Sequence, residues 1–172
     1  MFKNLNHALR WTFEVLERDI TGYSNTAAIM RLGEQCGASA STSPDDLTIQ
    51  EQKAQAVWID SIIRSCTNIS ERHVISSKYG SVLLDESADF LSMHVNGGSF
   101  EHELIKDIIC NMYKHKDEKY QMRSIAINHN KSERSVYYLR DKVAKVCDEL
   151  QFSAEAKIEN ALIEKGLINR LT

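Results

Sequence analysis

Proline is almost missing from this chain: there is one, Pro44, in 172 residues, with only seven glycines beside it. So few breakers argue against a sandwich or barrel of short strands joined by tight turns. They suit long helices with short connections. No apolar run approaches the roughly 18 residues that a membrane span needs, and no membrane partner is expected. The opening stretch, MFKNLNHALRWTFEVLERD, is charged throughout and has no apolar signal-peptide core, so a cytoplasmic location is expected. The four cysteines, Cys36, Cys66, Cys110 and Cys147, form no C-x-x-C pair. Reduced thiols are expected, with no metal and no cofactor. A large charge of either sign is also lacking: the net is −3, so any nucleic-acid surface must be local.

What is present is helical periodicity. Leu5, Leu9, Phe13, Leu16 and Ile20 predict an amphipathic helix over residues 4–20, ended by Gly22. Residues 33–43, small and polar, read as a linker. Ser43, Pro44, Asp45 and Asp46 predict a helix start, through a capping hydroxyl, a first-turn proline and two acids at the positive end of the dipole. The helix that follows presents Ala54, Val57, Trp58, Ile62 and Cys66 on one stripe. Short helices are expected from Glu71 to Tyr79 and from Asp85 to Val95. The next is capped by Ser99 and carries Leu104, Ile105, Ile108 and Met112. After the polar break KHKDEK come helices near 120–128, 133–150 and 154–165, the last closed by Gly166 with Leu167 or Ile168 folding back. The fold class is all-α, a helical bundle. Its segments are an N-terminal helix (1–32), a central helical region (43–116) and a C-terminal part (117–172).

The stretch from Arg123 to Leu150 carries the chemistry. A first helix ends near Asn128, His129-Asn130-Lys131 turn the chain, and Ser132 caps a second helix. Val136, Leu139, Val143, Val146 and Leu150 define its inward face, met by Ile125 and Ala126. The outward face shows Glu133, Arg134, Tyr137, Tyr138 and Asp141. In a helix-turn-helix these early positions of the second helix enter the major groove. Arg134 has the fork that pairs with guanine, and the tyrosines suit phosphates or thymine methyls. Lys131 and Ser135, beside the helix start, suit a phosphate. His129, in the turn, is within reach of one. Residues 114–145 hold nine bases, Arg123 among them, against four acids, a net of +5; residues 1–113 carry −6 and residues 146–172 carry −2. Positive charge is thus gathered on one segment. An ordinary helical pair with a solvated basic face would have the same pattern.

Other groupings read as structural. The histidines at 7, 73, 94, 102, 115 and 129 are scattered. Asp85, Glu86, Asp89, Glu101, Glu103 and Asp107 could hold a nuclease metal, but suit a solvated face and helix starts better. Trp11, Phe13, Tyr23 and Trp58 are expected core aromatics. No phosphate loop or nucleophile elbow is present, and no enzyme is expected.

Several stretches together resemble the phage antitermination protein Q family, in its zinc-free form. They are Asn4-Leu-Asn-His-Ala-Leu-Arg-Trp, Gln50-Glu-Gln-Lys-Ala-Gln-Ala and Ala161-Leu-Ile-Glu-Lys-Gly-Leu-Ile. Ile69-Ser-Glu-Arg-His-Val-Ile-Ser-Ser-Lys-Tyr-Gly is similar to the first helix of sigma-factor region four, and Arg123–Leu150 to that region's helix-turn-helix. The cysteine cluster of zinc-bearing members is missing, and the stretch between Gly80 and Phe100 departs from a compact region-four layout. The resemblance implies a factor in the bacterial host cell that binds double-stranded DNA near a late promoter. It would engage the RNA polymerase holoenzyme and make it read through pauses and terminators. Carried over, Arg134, Tyr137 and Tyr138 contact bases; Lys131, Ser132, Ser135, Arg140 and Lys142 contact the backbone. With Arg123 and Glu133 these make the full candidate interface. Two alternatives stay open: a helix-turn-helix activator or repressor without antitermination, and a small terminase DNA-recognition subunit. Self-association is allowed for.

Overall fold

The computed structural model describes residues 1–18, 47–80, 84–96 and 102–169. Among them lie seven α-helices and no strand, so the all-α expectation holds. The helices are α1 (Leu5–Glu17), α2 (Ile49–Cys66), α3 (Ile69–Tyr79), α4 (Leu84–Asn96), α5 (His102–Tyr113), α6 (Met122–Asn128) and α7 (Glu133–Glu164). A single 3₁₀ turn, Lys116–Glu118, lies between α5 and α6. No described helix is long and apolar enough to cross a membrane.

Two compact units can be distinguished, and their bounds are not those of the three sequence segments. One comprises Met1–Thr67 with Glu155–Thr172, the other Asn68–Ala154. The division falls inside α7.

In the first unit α1 packs along α2. Asn4 caps α1, its side-chain oxygen accepting the His7 N–H at 2.9 Å. The helix buries Ala8, Leu9, Trp11, Thr12 and Val15, while Leu5, Phe13 and Leu16 are only half-buried. Ile20, Gly22, Tyr23 and the linker 33–43 lie outside the described residues. α2 starts at Ile49, where Thr48 and Glu51 form a reciprocal capping box. The start expected at Ser43–Asp46 lies outside the described residues. The inward stripe of α2 is also turned from the expected one: Ala56, Ile59 and Ile63 are buried with Ala54 and Ile62, whereas Val57, Trp58 and Cys66 are half-exposed. The helix is apolar on two adjoining faces, so periodicity alone could not choose between them. Phe2 forms a parallel bridge with Ile168, its N–H donating to the Leu167 carbonyl at 2.9 Å, and sets its ring edge-on to Trp11.

In the second unit α4 lies against both α3 and α5. Val74, Ala88, Leu91, Leu104, Ile105, Ile108 and Ile109 close a core with Ile125, Ala126, Val136, Val143 and Cys147. Each large side chain buried there contributes about 1.5–3 kcal/mol. Burial pushes the Cys147 thiol up to about 11, and Cys66, Cys110 and Cys147 form no disulfide among the described residues. α7 runs unbroken through residues 150–154, where the sequence suggests a gap between two helices. No glycine or proline interrupts it there. Ser153 directs its hydroxyl to Glu71, not to its own backbone, so it does not break the turn. α7 ends in a Schellman motif: Gly166 takes φ +69°, its N–H donates to Ile163, and the Leu167 N–H donates to Leu162. Leu162 and Leu167 are both buried.

Candidate nucleic-acid interface

The C-terminus of α6 is closed by backbone hydrogen bonds. Lys131 N–H donates to the Ala126 carbonyl at 2.9 Å, and Asn130 N–H to Ile127 at 3.1 Å. Asn130 holds φ +55°, and is the only non-glycine with positive φ among the described residues. This is again a Schellman closure, with asparagine in the left-handed position that its short polar side chain tolerates. Two residues later Ser132 starts α7: its hydroxyl oxygen accepts the Ser135 N–H at 3.2 Å and its carbonyl accepts the Val136 N–H at 3.1 Å.

The faces separate cleanly. Ile125, Ala126, Val136, Val143 and Cys147 are buried; Leu139, Val146 and Leu150 are half-buried. Glu133, Arg134, Ser135, Asp141 and Lys142 are exposed, as are Lys131, Ser132 and Arg123. Tyr137 is 44% exposed and Tyr138 75%. Every candidate residue therefore sits outside the core, Arg140 half-buried and the rest exposed.

Arg140 and Arg123 are among the candidates engaged within the chain. The Arg140 guanidinium donates from Nε and Nη2 to Asp141 Oδ1, at 3.1 and 2.7 Å, and lies 5.3 Å from the centre of the Tyr137 ring. Arg123 Nε lies 3.5 Å from Glu133 Oε1, pairing the first turn of α6 with the first residue of α7. Both pairs are open to solvent, so each is worth at most about 1 kcal/mol and yields readily to a phosphate. His129 is not turned outward to meet a phosphate. Its Nε2 lies 2.7 Å from Asp107 Oδ2 on α5, which fastens the turn to the helix behind it. The two residues are 22 positions apart, so sequence spacing gave no sign of the pair.

Sequence reasoning also missed the loop before α6. Asn111 is 4% exposed, yet it uses both ends of its amide on one residue: Nδ2 donates to the Tyr120 carbonyl at 3.1 Å and Oδ1 accepts the Tyr120 N–H at 2.6 Å. The Tyr120 ring stands 61% exposed with the Lys114 ammonium 4.8 Å from its centre. A cavity of about 180 Å³ opens beneath, lined by Asp107, Cys110, Asn111, Lys114, Tyr120 and Ser124 among others.

The described aspartates of α4 and α5 pair with basic side chains. Asp85 and Asp89 both face Lys106, at 3.1 and 3.7 Å. Asp89 also meets His102 Nε2 at 3.0 Å, and Ser92 Oγ lies 2.8 Å from His102 Nδ1. That string has the composition of a hydrolytic triad. Ser92, however, is fully buried and within 2.7 Å of the Asp89 carbonyl, to which its hydroxyl donates. A sealed hydroxyl has no path to a substrate. Glu101 lies outside the described residues.

No protein-family model matches this chain, and no curated protein matches it.

Proposed function

We propose that the α6–α7 pair is a DNA-binding helix-turn-helix and that the chain is a transcription regulator. The observation that carries this reading is the closed turn at Asn130 with the Ser132 cap. It starts α7 with Arg134, Tyr137 and Tyr138 outward while Val136 and Val143 face the core. That is the division a reading helix requires: an apolar side to seat it and a polar, aromatic first two turns for base edges. The local charge of +5 over residues 114–145 supports it, because phosphate neutralisation supplies most of the affinity in such complexes.

Roles follow from the contacts. Arg134 reads guanine through its fork, and Tyr138, the more exposed tyrosine, meets a base or its methyl. Lys131, Ser132, Ser135 and Lys142 fix the register on phosphates. Arg140 acts through Tyr137: held by Asp141, it stiffens the ring against the groove wall. Glu133 keeps Arg123 beside the duplex.

Within transcription regulators, the resemblance to the antitermination protein Q family favours a late-gene antiterminator whose second partner is bacterial RNA polymerase holoenzyme. In a purified transcription reaction on the protein's own promoter DNA, adding the chain to paused polymerase should raise readthrough of a distant terminator. Sequence-specific DNA binding without any gain in readthrough assigns the protein to plain activators or repressors instead.

A further inference from the structure

We propose that the loop spanning residues 114–121 is a second DNA contact, gripping the phosphate backbone beside the groove that α7 enters. This rests on the reading of α7 as a DNA-reading helix.

The first observation is what holds the loop. A buried primary amide destabilises a fold unless it is hydrogen-bonded. Asn111 meets that condition by clamping both backbone groups of Tyr120. The residue so fixed adds little to the core, since its ring projects into solvent. Lys119 secures the same loop from the other side, donating to the Met112 carbonyl at 2.8 Å. The conformation is therefore set before any partner arrives, which lowers the ordering cost of binding.

The second observation is the chemistry presented. Lys114, Lys116 and Lys119 are set against Asp117 and Glu118, and Asp117 is turned to His115 at 3.3 Å. Ammonium groups and a phenol hydroxyl are donors suited to phosphate oxygens, and a phenol ring covers a deoxyribose. Such contacts position a protein on the duplex and read no bases.

The third observation is placement. Arg123 reaches Glu133, the first residue of α7. Tyr120 precedes Arg123 by three residues, a span of at most about 11 Å. A major groove is about 12 Å wide. With the first turn of α7 in that groove, the loop reaches the strand along its edge.

The test is fluorescence anisotropy of the full chain on two duplexes at several salt concentrations. One duplex carries a site selected by the protein from a random pool; the other is its scrambled sequence. Tyr120→Ala and Lys116→Ala should weaken both duplexes by the same factor, roughly 3- to 10-fold. Lys116→Ala should also lower the salt slope by about one. Both positions are exposed, so melting temperatures should match wild type. Arg134→Ala should cut discrimination between the duplexes by roughly 5- to 150-fold and leave the scrambled one nearly untouched. If the loop variants bind both duplexes like wild type while Arg134→Ala loses discrimination, the loop assignment is overturned and the α7 reading stands. If, with a single-stranded oligonucleotide titrated alongside the duplexes, Tyr120→Ala weakens only the single strand, the loop is a base-stacking platform and the assignment is again overturned. Absence of any duplex binding by the wild-type chain removes both.

Discussion

The Ser153 hydroxyl donates to the Glu71 carboxylate at 2.7 Å, across 82 positions of sequence. Glu71 is 2% exposed, and its other oxygen accepts the Asn68 N–H at 2.9 Å as half of the capping box of α3. One buried acid thus starts α3 and ties it to α7. Ser153→Ala removes a donor from a buried carboxyl oxygen. It should cost about 1–3 kcal/mol in urea unfolding. Ser153→Thr, which restores the hydroxyl, should recover most of that loss. An unfolding midpoint unmoved by Ser153→Ala would show that the bond contributes nothing.

The left-handed backbone at Asn130 makes a second test. Asn130→Gly keeps the turn and should leave stability within a few tenths of a kcal/mol. Asn130→Val places a β-branched side chain at φ +55° and should cost about 1–2 kcal/mol. DNA affinity should fall with it, because α7 is aimed by this turn. Equal stability for the glycine and valine variants would contradict the geometry.

His73 gives the fold a dependence on pH. Burial holds its imidazole below the ordinary 6.5; neighbouring Arg72 adds to the shift and Glu86 partly opposes it. The ring stacks on Phe90 with centroids 4.2 Å apart and bonds to Ser87 at 3.2 Å. A folded-state value below the unfolded one means that the unfolded chain binds the proton first. The stabilisation is complete above 6.5 and is lost as pH falls through the lower folded value. Unfolding free energy measured by urea titration should therefore decline below about pH 6.5, and His73→Gln should flatten that decline. Identical pH profiles for the two proteins would rule His73 out as its source.

Much of the helical frame was legible because its signals are local. Val136 and Val143 mark a face by spacing alone, and Ser132, Gly80 and Gly166 are caps by residue type. The inward face of α2 was not legible, since Ala56 and Ile59 compete with Val57 and Trp58 and only a neighbour decides. The unbroken α7 was missed because Ser153 resembles a stop signal until Glu71 is seen to occupy its hydroxyl. At the candidate interface the exposed residues were readable from the helix period. Their partners were not: Arg140 with Asp141 is adjacent yet conformational, while Asp107 with His129 and Asn111 with Tyr120 depend on where α5 lies. Tertiary placement supplies those pairs, and no spacing rule encodes it.

The central claim is that the outward face at the start of α7 reads duplex DNA, and Arg134→Ala tests it most directly. Affinity for the selected duplex, measured at several salt concentrations, should drop by about 1–3 kcal/mol at each, with melting temperature unchanged. Wild-type affinity at every salt concentration would contradict the account.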